Sequence, residues 1–345
     1  MVTLPTIVAD LADLPECLRI AETLADRPTY LRVAPLSAAG RSPLLAALAM
    51  RLGRPLLYVT LNADAAMRAA DDLRQWLGPE AVLLYPASDA MPYEHMSPGD
   101  EVIARRLRAL QALDHSARRL EGLRTPVLVA PLKALLQPTL GPQELAEAST
   151  VLRRGQELSQ DTLLRSLIGR GYRAAAAVEA PGELSRRGGI IDVWPSADER
   201  PLRIEFFGDE IDSLRRFDPA TQRSDQRVDS ATISPPHEIP LWNRAQALER
   251  IARVDLTSLR REARAEWQAA IARLEIGERF EGRAFYAPFF RNAEWSIENG
   301  ALPSSAPLNP QFSRPHSTLL AHLPPGSAVL LSEEHLLAHH AAEIA

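Results

Sequence analysis

A change of hydrophobic period near Pro142 constrains this chain more than any other feature. Before it, short apolar runs (Tyr30–Ala34, Pro55–Thr60, Ala81–Pro86, Pro126–Ala130) alternate with stretches whose apolar residues recur three or four apart, namely Pro43–Leu52, Ala63–Leu77 and Asp100–Leu113. Strands separated by amphipathic helices are what the crossovers of a parallel sheet require, so the first ~150 residues read as a doubly wound α/β layer. Pro43 and Asp100 suit helix starts, where a missing N–H costs nothing and an acid is favoured. After Pro142 the period becomes two, in Gly189–Trp194, Leu202–Phe207, Ile211–Phe217 and Arg227–Ile233. Ser159 reads as the cap of a helix Gln160–Ile168 ending at Gly169 and Gly171. With turns at Pro195-Ser196 and Gly208-Asp209, this is an antiparallel meander with one helix, a small α+β domain. Beyond Pro240 the pattern is helical (Trp242–Arg273), then aromatic (Phe280, Phe285, Tyr286, Phe289, Phe290, Trp295). A Pro/Ser-rich loop, Ala301–Ser317, precedes a buried strand Ser327–Leu331 and a helix that runs off the end at Ala345, the expected look of a piece of something longer.

Composition narrows the function classes. The 345 residues are 46% hydrophobic and 24% charged, a globular balance for two or three domains. No apolar run approaches the ~18 residues of a membrane span, and Cys17, the single cysteine, excludes a disulfide framework. The expectation is a soluble cytoplasmic protein. Net charge is −5, and Thr150–Pro236 carries 13 basic and 14 acidic residues, so neither the chain nor its small domain is a basic footprint for nucleic acid. Lys133 is the only lysine.

Several constellations bear on chemistry. Pro35–Pro43 has the place and spacing of a phosphate-binding loop, Gly-x4-Gly-Lys-[Ser/Thr]. Gly40 and Ser42 match it; Pro35 replaces the first glycine and Arg41 the lysine. The segment reads as a working site or as an ordinary strand–helix turn. A nucleotide hydrolase also needs an acid after a buried strand to hold Mg²⁺. The corresponding box is Ser332-Glu333-Glu334-His335, with serine at the metal position and Glu333 either a remnant carboxylate or an acid at a solvated helix start. Both halves are damaged together, which suggests a nucleotide-hydrolase fold kept as scaffold, with no catalytic residue and no cofactor. His335, His339 and His340 have zinc-like spacing but no third ligand, so no metal is expected. Arg105, Arg106 and Arg108, with Arg118 and Arg119 beyond, form either a phosphate-facing patch or a solvated face.

Leu202–Phe207 is the most informative segment. Strand period sends Leu202, Ile204 and Phe206 to a core face and Arg203, Glu205 and Phe207 outward. Arginine beside an exposed aromatic is the composition of an interface hot spot; Phe207 is either that anchor or a residue tucked under the following turn. Trp194 reads as core, closing the sheet end.

Arg186-Arg187-Gly188-Gly189-Ile190-Ile191-Asp192-Val193-Trp194-Pro195, followed by Arg203-Ile204-Glu205-Phe206-Phe207-Gly208-Asp209-Glu210-Ile211, resembles the UvrB family. Bacterial UvrB and the N-terminal module of transcription-repair coupling factors share this block. The damaged phosphate loop and acid box, and the short stretch Tyr85–Pro98 where UvrB inserts a DNA-clamping hairpin, favour the coupling-factor module. The resemblance implies a split, degenerate helicase-like domain (residues 1–149 and 237–345) around an inserted UvrA-binding domain (150–236). The UvrA-contacting positions fall on Arg187, Arg203 and Phe207. It further implies a larger parent, an ATP-dependent DNA translocase that meets RNA polymerase and DNA through other regions. In that parent a C-terminal domain masks the UvrA surface.

Overall fold

The computed structural model describes residues 4–26, 31, 33, 36–88, 99–117, 125–278, 280, 282–291, 317–333 and 336–338. The first strands in chain order are β1 (Leu56–Thr60), β2 (Val82–Leu84) and β3 (Val127–Pro131). Eight follow: β4 (Thr150–Arg153), β5 (Arg173–Ala174), β6 (Glu183–Arg187), β7 (Ile190–Val193), β8 (Leu202–Phe207), β9 (Glu210–Phe217), β10 (Ser224–Val228) and β11 (Ser230–Ile233). β12 (Ala328–Leu331) is the last. The chain divides into two compact units: residues 1–87, 108–138 and 318–345, and residues 88–107 and 139–317.

The first unit holds a parallel four-stranded sheet of order β12-β1-β3-β2. β1 and β3 are buried at every position, which is why Leu-Leu-Tyr-Val-Thr and Val-Leu-Val-Ala read as unbroken apolar runs. Helices α1 (Leu4–Ala12), α2 (Pro15–Asp26), α3 (Ala38–Leu52) and α4 (Ala63–Leu77) belong to the same unit. Leu45, Leu48, Ala70 and Leu73 join β1 and β3 in one core. Asn62 caps α4, its side chain accepting from the Ala65 N–H at 2.9 Å. β12 departs from the buried strand expected at Ser327–Leu331: it is an edge strand with Val329 and Leu331 each 48% exposed. Of the strand expected at Tyr30–Ala34, Leu31 and Val33 lie in no regular element and are exposed; its other residues lie outside the described set.

The second unit contains a six-stranded sheet of order β10-β9-β8-β7-β6-β5, antiparallel except between β5 and β6. The run expected as one strand, Arg227–Ile233, divides at Asp229 between β10 and β11, and β11 pairs with β4 in a separate two-stranded sheet. Alternating Leu202, Ile204, Ile191, Val193 and Leu214 pack on the helix Gln160–Gly169. The helical stretch expected over Trp242–Arg273 is interrupted between Arg244–Ile251 and Arg261–Glu275. There the Asp255 carboxylate accepts from the Thr257 N–H at 2.9 Å, a local bond that competes with helix. That bond also holds the Asp255 carboxyl below its ordinary range. Trp267, Phe280, Tyr286, Phe289 and Phe290 close a second core against these helices; Trp295 lies outside the described residues.

Candidate functional site

In the first unit, α3 begins at Ala38, five residues before the start expected at Pro43. Ser37 is extended (φ −68°, ψ 156°) and its Oγ accepts from the Gly40 N–H at 3.2 Å, so the cap and not the proline decides the boundary. Gly40, Arg41 and Ser42 are therefore helical, and the backbone that would wrap a phosphate is wound into the first turns. Arg41 Nη1 donates to Glu333 Oε1 at 3.1 Å and Ser332 Oγ at 3.3 Å. The lysine-equivalent position and the acid box thus neutralise each other within one unit. Glu333 adopts a left-handed φ of 55° at this contact. Pro35, Glu334, His335, His339 and His340 lie outside the described residues, and among the described residues no group of metal-ligating side chains converges.

In the second unit, Arg106 lies on the helix α5 (Asp100–Ala117) and is 1% exposed, so it belongs to neither a phosphate patch nor a solvated face. Its Nε donates to Glu238 Oε2 at 2.7 Å, and Thr139 Oγ1 donates to Glu238 Oε1 at 2.5 Å. Arg291 Nη1 also donates to the Thr139 carbonyl. Arg105 pairs with Glu101 on the exposed side at 2.5 Å, while Arg118 and Arg119 lie outside the described residues.

The six-stranded sheet carries Arg187, Arg203 and Phe207. Phe207, at the end of β8, is 84% exposed, and Gly208 at φ 63° supplies the left-handed first residue of the turn to Glu210. It does not tuck beneath that turn. Phe206 points inward to the core, as strand alternation requires. Arg187 is exposed at the end of β6, its side chain without a hydrogen-bond or ion-pair partner among the described residues. It lies two strands from β8 rather than on a neighbouring one: Arg187 pairs Ile190, which pairs Glu205. The Gly188-Gly189 turn passes close to β8. A Cβ on Gly189 would lie 3.2 Å from the Phe206 carbonyl oxygen, and the Phe206 N–H donates to Gly189 O at 2.8 Å. Trp194, read as core, is half-buried, its Nε1 donating to Asp198 O at 3.0 Å.

Arg203 is not on an open wet face. Its side chain is 17% exposed, and it grips Asp192 through two bonds, Nε to Oδ1 at 2.8 Å and Nη2 to Oδ2 at 2.9 Å. Its Nη1 donates to the carbonyl of Gln222 at 3.2 Å, and the guanidinium stacks 4.6 Å from the Phe217 ring centre. Asp192 holds the Arg203 pKa above its ordinary value by that hydrogen bond, against the opposing effect of burial. Gln222 adopts φ 58° and donates its side chain to Val178 O at 3.1 Å, tying the turn after β9 over this end of the sheet. Parity alone missed this cover, because the turn and the Val178 segment are non-local. The signal was Asp192 in the quoted motif, directly opposite Arg203 in the register.

The segment carrying this arginine–aromatic sheet, residues 151–238, matches the family model of the UvrB interaction domain. More widely, the chain is similar to bacterial transcription-repair-coupling factors. It is 36% identical to that of Bacillus subtilis over 219 residues, 63% of this chain and 18% of the relative. It is 30% identical to that of Escherichia coli over 288 residues, 83% of this chain and 23% of the relative. With the Mycobacterium bovis relative it shares 36% over 198 residues, 57% of the chain and 16% of that protein. The chain therefore corresponds to a UvrB-like module of such a factor, and spans about a fifth of the length of the curated relatives it matches.

Proposed function

We propose that this chain is a non-catalytic recruitment module that captures UvrA through the face bearing Arg187 and Phe207, which Arg203 orders through its grip on Asp192, and so brings nucleotide excision repair to stalled RNA polymerase. One observation carries the reading: within the matched domain, a phenylalanine 84% exposed stands on the same sheet as an unpaired arginine. Exposed apolar residues beside arginine are the make-up of a protein-binding hot spot. On this reading residues 1–149 and 237–345 are the degenerate helicase-like scaffold and 150–236 the inserted binding domain. The intact factor, in the cytoplasm, supplies ATP-driven DNA translocation, contacts with RNA polymerase and DNA, and a C-terminal domain that masks the UvrA face. The mutual neutralisation of Arg41 and Glu333 supports a scaffold without a nucleotide cofactor. No described helix is long and apolar enough to cross a membrane. The test is capture of purified UvrA by the 345-residue chain, measured for wild type and Phe207→Ala. Tight capture lost in the variant is expected; no capture by wild type overturns the reading.

A further inference from the structure

One register row crosses five strands of the large sheet: Ser185, Asp192, Arg203, Arg215 and Arg227. A single aspartate is followed by three arginines directly opposite one another. Cross-strand neighbours stand about 5 Å apart at Cβ, and like charges so placed destabilise a sheet. Asp192 satisfies Arg203 and no more. Arg215 Nε donates to Ser213 Oγ at 3.3 Å and lies 3.6 Å from Glu205, while 41% of its side chain stays exposed. The Arg227 side chain is exposed, with no hydrogen-bond or ion-pair partner among the described residues. These two arginines line a cleft of about 200 Å³ with Ser224, Asp225 and Gln226. The one acid there, Asp225, is held by Arg200 at 2.6 Å.

We infer that the Arg215–Arg227 cleft is a second contact point for the protein partner of this domain, taking an aspartate or glutamate side chain from an acidic segment of it. This rests on the UvrA reading above and extends the face by two strands beyond Arg203. Two arginine forks side by side match a carboxylate, which they bind through paired hydrogen bonds. A protein occupant fits better than a nucleic-acid backbone. The chain's net charge of −5 opposes a continuous phosphate backbone, while a single carboxylate needs only the two forks, and Phe207 on the same face offers an apolar anchor that a protein surface uses.

The experiment measures UvrA affinity of the 345-residue chain as wild type, Arg227→Glu, Arg215→Ala and Phe207→Ala, with duplex DNA as a parallel probe and a melting curve for each. Arg227→Glu is expected to lower UvrA affinity about tenfold without moving the melting curve, and Arg215→Ala several-fold. If Phe207→Ala loses UvrA while Arg227→Glu binds like wild type, the cleft is not a contact and the UvrA reading survives. If wild type binds no UvrA, both fall. If Arg227→Glu weakens DNA alone, the cleft takes a phosphate and the protein assignment is overturned.

Discussion

Asp192, with 3% of its side chain exposed, is held by Arg203 through two parallel hydrogen bonds of 2.8 and 2.9 Å across adjacent strands. Removing one partner of such a pair leaves a buried charge uncompensated. Arg203→Glu is therefore expected to cost about 3–5 kcal/mol of stability, seen as a large drop in urea midpoint. A loss of UvrA capture in that variant would not by itself identify a contact. A midpoint within error of wild type would show that the pair is not structural.

Phe207 behaves oppositely. With 84% of its surface in water, its truncation removes almost no buried area. Phe207→Ala should move stability by less than about 0.5 kcal/mol, yet cost about 2–4 kcal/mol of UvrA binding, the size of a hot-spot loss. Calorimetric titration beside thermal melting separates the two effects.

The Arg106–Glu238–Thr139 cluster predicts a destabilisation that involves none of the proposed binding residues. Glu238→Ala removes the carboxylate to which a guanidinium 1% exposed donates, and should cost about 3–5 kcal/mol. An Arg106→Met, Glu238→Leu double variant, apolar on both sides, should recover most of that loss in chemical denaturation.

Mg-ATP should not stabilise the chain. Ser37 caps the first turn of α3 and Glu333 occupies Arg41, leaving no free cradle for phosphates among the described residues. A thermal-shift titration should stay flat. Stabilisation of about 2–3 kcal/mol at saturating ATP would restore a nucleotide-binding reading. Ser37→Ala should cost roughly 1 kcal/mol through loss of the cap.

Alkaline pH should loosen the aromatic core. Burial raises the Tyr286 phenol from 10.0 to about 12, and Tyr172, buried with its hydroxyl donating to Ser234 O at 2.6 Å, is also raised well above its ordinary value. Because the folded pKa lies above the unfolded one, this stability is fully present below pH ~10 and is lost as pH rises toward 12. Melting temperatures across that window should fall more steeply for wild type than for Tyr286→Phe.

The sequence made legible what periodicity encodes. β1 and β3 emerged as continuous apolar runs, β8 as an alternating strand, and the outward direction of Phe207 from that alternation. Side-chain bonds to backbone leave no such period. The Ser37 cap moved the start of α3 by a turn and more, and the Asp255 turn divided a helix that propensity alone would have continued. Non-local cover is invisible to parity, so Arg203, outward by its strand, is enclosed by Gln222 and Phe217 from later in the chain.

Thr139 and Glu238 stand 99 positions apart in sequence, yet share a hydrogen bond. The chain between them leaves and returns at one spot, so its ends meet in the folded unit. The entropy of closing a loop grows only slowly with its length, and a closed seam makes such an insert portable: a host needs to offer only one gap between neighbouring backbone ends. Grafted at that seam into an unrelated scaffold, the segment would bring its sheets, its core and its outward phenylalanine as one cassette.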